Sequence, residues 1–256
     1  MTRPRKDVER ARQLLDEGES IAETARRVGI ARATVRDWMR KGFEETVASR
    51  TDAGPNGGPC EFCRYVRDVS EPTYAYLLGL YLGDGHLTKC PRDVYKLRIY
   101  QDNKYPFLMH QCQVAMYWTV PNVVGTVQKE GCKEIYSFSK HWICLFPQHG
   151  DGRKHERTIE LEPWQRWVAV ERYPHMLLRG LIHSDGCRAT NRVRVRGRSY
   201  EYTRYMFSNR SEDIRRIFTD ACDRARIEYR PSNAWTISVA RRGSVEHMDR
   251  FIGPKS

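Results

Sequence analysis

A chain of 256 residues with 40% hydrophobic side chains has room for one large core and a small one. Its net charge of +12 points to a nucleic-acid partner. The longest apolar candidate, residues 76–83, is far too short to span a bilayer, which excludes a membrane partner.

The N-terminal stretch MTRPRKDVER lacks the apolar segment of a signal peptide, so the expected location is cytoplasmic and nucleoid-associated. Eight cysteines without an export signal are expected to be reduced thiols or metal ligands. Residues 1–42 are predicted to form a small all-α domain. Val8, Ala11, Leu14 and Leu15 make a helical stripe that ends near Gly18. Ser20 with Glu23 three residues on is a capping-box pattern. In IAETARRVGIARATVRDWMR, Ala25 is small where two helices cross, Gly29 suits a left-handed turn, and Ile30, Val35 and Trp38 close a core. The segment resembles the helix-turn-helix of recombinases and repressors. That resemblance places the helix from Arg32 to Arg40 in a major groove, with Arg32, Thr34 and Arg36 against bases or phosphates. Arg40, with Arg26, Arg27 and Lys41, then holds phosphates.

Residues 43–71 are expected to be a linker, Gly- and Pro-rich from 49 to 59. Cys60 and Cys63 form a CxxC, half of a zinc site. Cys144 and His149 are the candidates to complete it around a structural Zn²⁺, with His141 and His155 as further partners. Two incidental thiols are the competing reading.

From residue 72 the order of elements is predicted to run twice: helix, two strands, helix, two strands, helix. The repeats span 72–150 and 173–256, joined by a linker at 151–172 in which 162–172 looks helical, with Trp164, Trp167 and Val168 on one side. Each repeat opens on a short helix with a proline near its start, Pro72 or Pro174, and a glycine past its end, Gly85 or Gly186, where a left-handed cap is expected. In the first repeat, Lys96, Arg98 and Tyr100 share one strand face, and Leu97 and Ile99 the other. In the second, Arg192, Arg194, Arg196 and Arg198 alternate with Val193 and Val195. A polyanion on that face relieves the repulsion among four arginines.

The opening helices carry the chemistry. They read LLGLYLGDG from Leu77 and LRGLIHSDG from Leu178, 101 residues apart. Small residues recur four apart, Gly79 with Gly83 and Gly180 with Ser184. A helical glycine costs about 1 kcal/mol against alanine, and close helix approach offsets it. Each helix ends on an acid, Asp84 or Asp185, against its own macrodipole. Packing through the small residues brings the acids together, a pairing that divalent cations favour.

This pair of motifs resembles the LAGLIDADG homing endonucleases in the two-motif, single-chain form, over roughly residues 72–256. The resemblance implies an α+β fold, a pseudo-two-fold pair of αββαββα repeats whose sheets make a basic saddle on double-stranded DNA, in a monomer. It implies Mg²⁺ or Mn²⁺ on Asp84 and Asp185, and site-specific phosphodiester cleavage. It places Gln101 at the polar position after a repeat's second strand, with Ser208 or Asn209 as counterpart. Lys140 falls near the basic position after the last strand, with Arg241 or Arg242 as counterpart. His183, inside the motif helix, reads as a buried neutral histidine. The alternative function is a non-cutting DNA-binding transcriptional regulator on the same fold. Lacking a splice-junction signature, the chain is expected to be free-standing.

Overall fold

In the computed structural model, which describes residues 5–48, 61–195, 197–253 and 255, the chain divides between Arg64 and Tyr65 into two units. The N-terminal unit holds α1 (Arg5–Asp16), α2 (Ile21–Val28), α3 (Arg32–Lys41) and α4 (Phe43–Ala48). The Ser20 hydroxyl accepts the Glu23 N–H at 3.2 Å, satisfying one orphan donor of α2. Gly29 ends that helix at φ 69°, the left-handed conformation the turn requires. Val8, Ala11 and Trp38 form the core, with Val28, Ile30 and Phe43 packed against it. Helix α4 was not expected. Gly42, at φ 84°, turns the chain so that Phe43 reaches this core.

The division falls within α5 (Glu61–Asp84), which starts well before Pro72 and runs through it. The predicted start at Pro72 is therefore corrected. A proline removes one N–H from the ladder, and packing compensates: Tyr74 to Leu78 are buried, and Arg172 pairs with Glu71 at 2.6 Å.

Next come β1 (Gly85–Cys90), β2 (Val94–Asp102), α6 (Pro106–Thr119), β3 (Val124–Gln128), β4 (Cys132–Ser139) and α7 (Trp142–Leu145). A bridge follows, in which α8 (Pro163–Gln165) passes into a π-helix over Arg166–Arg172. The predicted one-sided aromatic stripe is absent there: Val168 is buried and Trp167 is exposed, because the wider π turn rotates successive side chains off the 3.6-residue register. The second repeat is α9 (Pro174–Asp185), β5 (Gly186–Val195), β6 (Arg198–Ser208), α10 (Glu212–Arg224), β7 (Arg230–Asn233), β8 (Thr236–Val239) and α11 (Arg242–Asp249). Both halves are αββαββα, as expected. Their antiparallel sheets run β1-β2-β4-β3 and β5-β6-β8-β7, the same order twice. Among the described residues no helix is long and apolar enough to cross a membrane.

The glycines after the motif helices are not left-handed caps. Gly186 is extended at φ −111°, and Gly85 pairs with Ile99 in the sheet. A Cβ on Gly85 would lie 2.5 Å from Tyr81 Cα, and one on Gly186 2.7 Å from Ile182 Cα. Glycine is needed because each strand leaves its helix directly, with no turn between.

Hairpin register decides which strand face is free. Leu87 pairs with Leu97, and Gly186 with Phe207, and these side chains are buried. Across β5 and β6, Arg192 pairs with Glu201, Arg194 with Ser199, and residue 195 with Arg198. Arg192 and Arg194 thus share the parity of Tyr205 and Phe207. Arg198 lies on the other face with Tyr200, Tyr202 and Arg204. The predicted single face of four arginines is corrected: the chain reverses between residue 195 and Arg198, which pair, and the reversal inverts the alternation. Arg196 lies outside the described residues.

Candidate active site at the crossing helices

Helices α5 and α9 meet backbone to backbone. A Cβ on Gly79 would lie 2.5 Å from the Leu177 carbonyl oxygen and 2.8 Å from Gly180 Cα. One on Gly83 would lie 3.1 Å from Asp185 Cγ, so the carboxylate ending one helix abuts the last turn of the other. The small residues at four-residue spacing therefore do what the sequence implied: they let Asp84 and Asp185 approach.

Both acids are half-buried at helix C-termini. Burial, and then the neighbouring Asp185, pushes the Asp84 carboxyl up to about 6. Burial raises Asp185 too, against the pull of a hydrogen bond from Asn209 Nδ2 at 2.6 Å. Two lysines oppose both shifts, Lys154 and Lys255. Lys154 Nζ donates to the carbonyls of Tyr81, Leu82 (3.1 Å) and Gly83 (3.0 Å), capping α5. Lys255 Nζ donates to Ser184 O at 3.2 Å and Gly186 O at 3.0 Å, capping α9. Burial lowers Lys154 to about 8.

These lysines were missed by sequence reasoning, although a signal existed. They stand 101 residues apart, the interval that separates the two acids. The residues proposed instead, Lys140 and Arg241, line neither cavity at the acids. Lys140 follows β4, and Arg241 pairs with Glu228 at the start of α11.

Two cavities flank the acids. The first, about 450 Å³, is lined by Asp84, Gln101, Asp102, Glu130 and Lys255, among others. The second, about 550 Å³, is lined by both acids with Arg153, Lys154, Asn209 and Arg210. Gln101 is 3% exposed, and among the described residues nothing accepts from its Nε2. Sheet register identifies its counterpart. Ile99 pairs with Gly85 and Phe207 with Gly186, so two residues on stand Gln101 and Asn209. Ser208, which also lines the second cavity, has its hydroxyl hydrogen-bonded to Thr236 Oγ1 at 2.8 Å.

The donor set fits a hard divalent ion. Two carboxylates face shared polar space, and among the described residues no third His, Cys, Asp or Glu joins a cluster. Mg²⁺ accepts such a set because it keeps several waters and takes phosphate oxygens for the rest. His183 is fixed as neutral: Nε2 faces the Ile252 carbonyl at 2.9 Å and so carries the proton, while Nδ1 accepts from Tyr76 Oη at 2.9 Å. Burial takes its pKa down to about 4.

On the free face of the first sheet, Lys96 pairs with Glu134 at 2.5 Å and lies over the Tyr136 ring. Arg98 donates to Thr88 Oγ1 at 2.6 Å. In the second repeat, Arg192 pairs with Glu201 at 2.6 Å, and Tyr200 and Tyr202 are exposed and stacked. On α3, Arg32 and Arg36 are exposed, Thr34 is half-buried, and Arg40 pairs with Asp37 at 2.9 Å. The zinc expectation gains no support. Cys60 and the side chain of Cys63 lie outside the described residues, and His149 packs against the rings of His86 and Tyr95.

Residues 3–36 match the family described as the helix-turn-helix domain of resolvase. Among curated proteins none matches the chain. Among solved structures, variants of the homing endonuclease I-DmoI are similar, at 13% identity and a TM-score of 0.49, covering 73% of this chain and 99% of theirs. The LAGLIDADG meganuclease I-AabMI bound to uncleaved DNA is similar at 10% identity and a TM-score of 0.47, covering 70% of this chain and 82% of its own. I-SmaMI bound to uncleaved DNA with calcium ions gives 8% identity and a TM-score of 0.45, covering 70% and 84%. Likeness at this level does not assign chemistry.

Proposed function

We propose that the chain is a site-specific double-stranded DNA endonuclease of the LAGLIDADG type, dependent on Mg²⁺ or Mn²⁺. One observation carries the reading: two half-buried carboxylates converge at the C-termini of helices crossing at Gly79 and Gly180, each helix end capped by a lysine. Nothing in folding requires two acids there; the site raises Asp84 to about 6 and so strains its own ionisation.

Asp84 and Asp185 would hold the divalent ion, which when bound lowers the pKa of water and screens charge on the phosphate. The chain's own residues do the rest. Asn209 fixes the Asp185 carboxylate by its 2.6 Å hydrogen bond. Lys154 and Lys255 offset negative charge gathering at the acids. The uncommitted amide of Gln101 donates toward water or phosphate in the first cavity. In hydrolysis a water oxygen bonds to phosphorus, the bond to the leaving sugar oxygen breaks, and that oxygen takes up a proton. DNA lies on the free faces of the two sheets, since helices cover the others. The helix-turn-helix unit adds a second contact through Arg32 and Arg36.

A second reading, a DNA-binding regulator that does not cut, is favoured by that N-terminal unit. Selecting the bound sequence from random duplexes and incubating it with Mg²⁺ decides between them. Cutting by the wild type, lost in Asp84→Asn and Asp185→Asn with binding retained, supports the endonuclease. Tight binding without any nick supports the regulator.

A further inference from the structure

The two cavities at the acids are built on equivalent strand ends but differ in charge, the second being the more basic. The position after Gln101 is Asp102, and the position after its counterpart Asn209 is Arg210. Glu130 adds to the first cavity, so Asp84, Asp102 and Glu130 line it with Lys255, and Lys104 pairs with Asp102 at 3.6 Å. Arg153 adds to the second, so Arg153, Lys154 and Arg210 face Asp84 and Asp185, with Glu156 3.9 Å from Arg153. The polar amides differ in the same sense. Asn209 already donates to Asp185, whereas Gln101 Nε2 is buried without an acceptor among the described residues. Arg210 also lies 5.5 Å from the Trp235 ring centroid, which limits its freedom at the cavity edge.

A phosphodiester carries one negative charge. In the second cavity it meets more base, and in the first more acid. We infer that the two strands of the target are not equivalent: the phosphate seated by Arg210 and Lys154 is held and cut first, and the phosphate at Asp102 and Glu130 is held weakly and cut slowly, so that the protein acts as a strand-selective nicking enzyme. Each nick is the same hydrolysis, one water consumed and one P–O bond broken. The inference rests on the nuclease reading above, but its charge asymmetry is testable in DNA binding alone.

The test scans neutral methylphosphonates across the central phosphates of both strands of the selected duplex, with binding measured in EDTA. The expected result is a loss of about 3- to 10-fold at a position on one strand, with no loss or a gain at its partner on the other. Arg210→Ala should remove the sensitivity of the first position, and Asp102→Asn should relieve the second. A plasmid carrying the target, with Mg²⁺, should pass through a nicked circle cut on the Arg210-dependent strand, and Asp102→Asn should shorten the life of that intermediate. Equal methylphosphonate losses on both strands overturn the inference, as does equal cutting of both strands. Binding with the expected asymmetry but without cutting retains the charge assignment and removes the nuclease reading. No duplex binding removes both.

Discussion

Gly79 and Gly180 touch through their backbones: a Cβ on the first would meet Gly180 Cα at 2.8 Å and the amide nitrogen of Leu181 at 2.7 Å. Neither atom belongs to a side chain that can swing aside. Alanine at either position must push α5 and α9 apart. Gly79→Ala and Gly180→Ala should each destabilise the second unit by about 1–3 kcal/mol, as overpacking does. Chemical unfolding monitored by tryptophan fluorescence measures this, and unchanged midpoints in both variants would contradict the close approach.

The Asp84 carboxyl gives a pH dependence of unusual sign. It ionises at about 6 in the fold against 3.8 as its ordinary value, so the unfolded chain loses its proton first. Stability from this group is therefore fully present below about pH 4 and falls as pH rises through 6. In metal-free buffer at pH 7, Asp84→Asn should be more stable than wild type by ~2 kcal/mol, and the difference should vanish in acid. Mg²⁺ should narrow it by binding the ionised pair. Urea unfolding of both proteins in EDTA across pH 4 to 8 is the measurement; a variant less stable than wild type at pH 7 would mean that the carboxylate is favourably held.

The two arginine faces of the second hairpin can be separated. Replacing Arg198 and Arg204 with alanine should weaken duplex binding and lower the salt slope by about two, one for each phosphate no longer neutralised. Replacing Arg192 and Arg194 should do less, because they share the parity of the helix-covered face and Arg192 is paired with Glu201. The reverse order in a salt titration would place DNA on the wrong side of the sheet.

In the N-terminal unit, Gly29 holds a left-handed conformation at φ 69°. Gly29→Val should cost about 1–2 kcal/mol in that unit, since a β-branched residue is strained there. Arg32→Ala with Arg36→Ala should weaken DNA binding and leave the thermal midpoint in place. A lowered midpoint with unchanged affinity would make α3 a structural helix only.

Much of this molecule was legible in one dimension. Small residues at four-residue spacing before Asp84 and Asp185 state in sequence that two helices touch and that two acids meet, because close approach has few other solutions. The repeat at 101 residues implied two copies of one αββαββα unit, and the strand order confirms it. The Ser20 cap and the Gly29 turn are local, and local chemistry decided them. The tertiary structure decided what depends on register and on distant chain. Which arginines share a face turned on the reversal that pairs residue 195 with Arg198, since one reversal inverts alternation. Whether Ser208 or Asn209 answers Gln101 turned on strand pairing, because the second hairpin is longer than the first. Lys154 and Lys255 share the 101-residue interval of the acids, but they lie 70 residues after them, and only folding brings their ammonium groups to the helix ends.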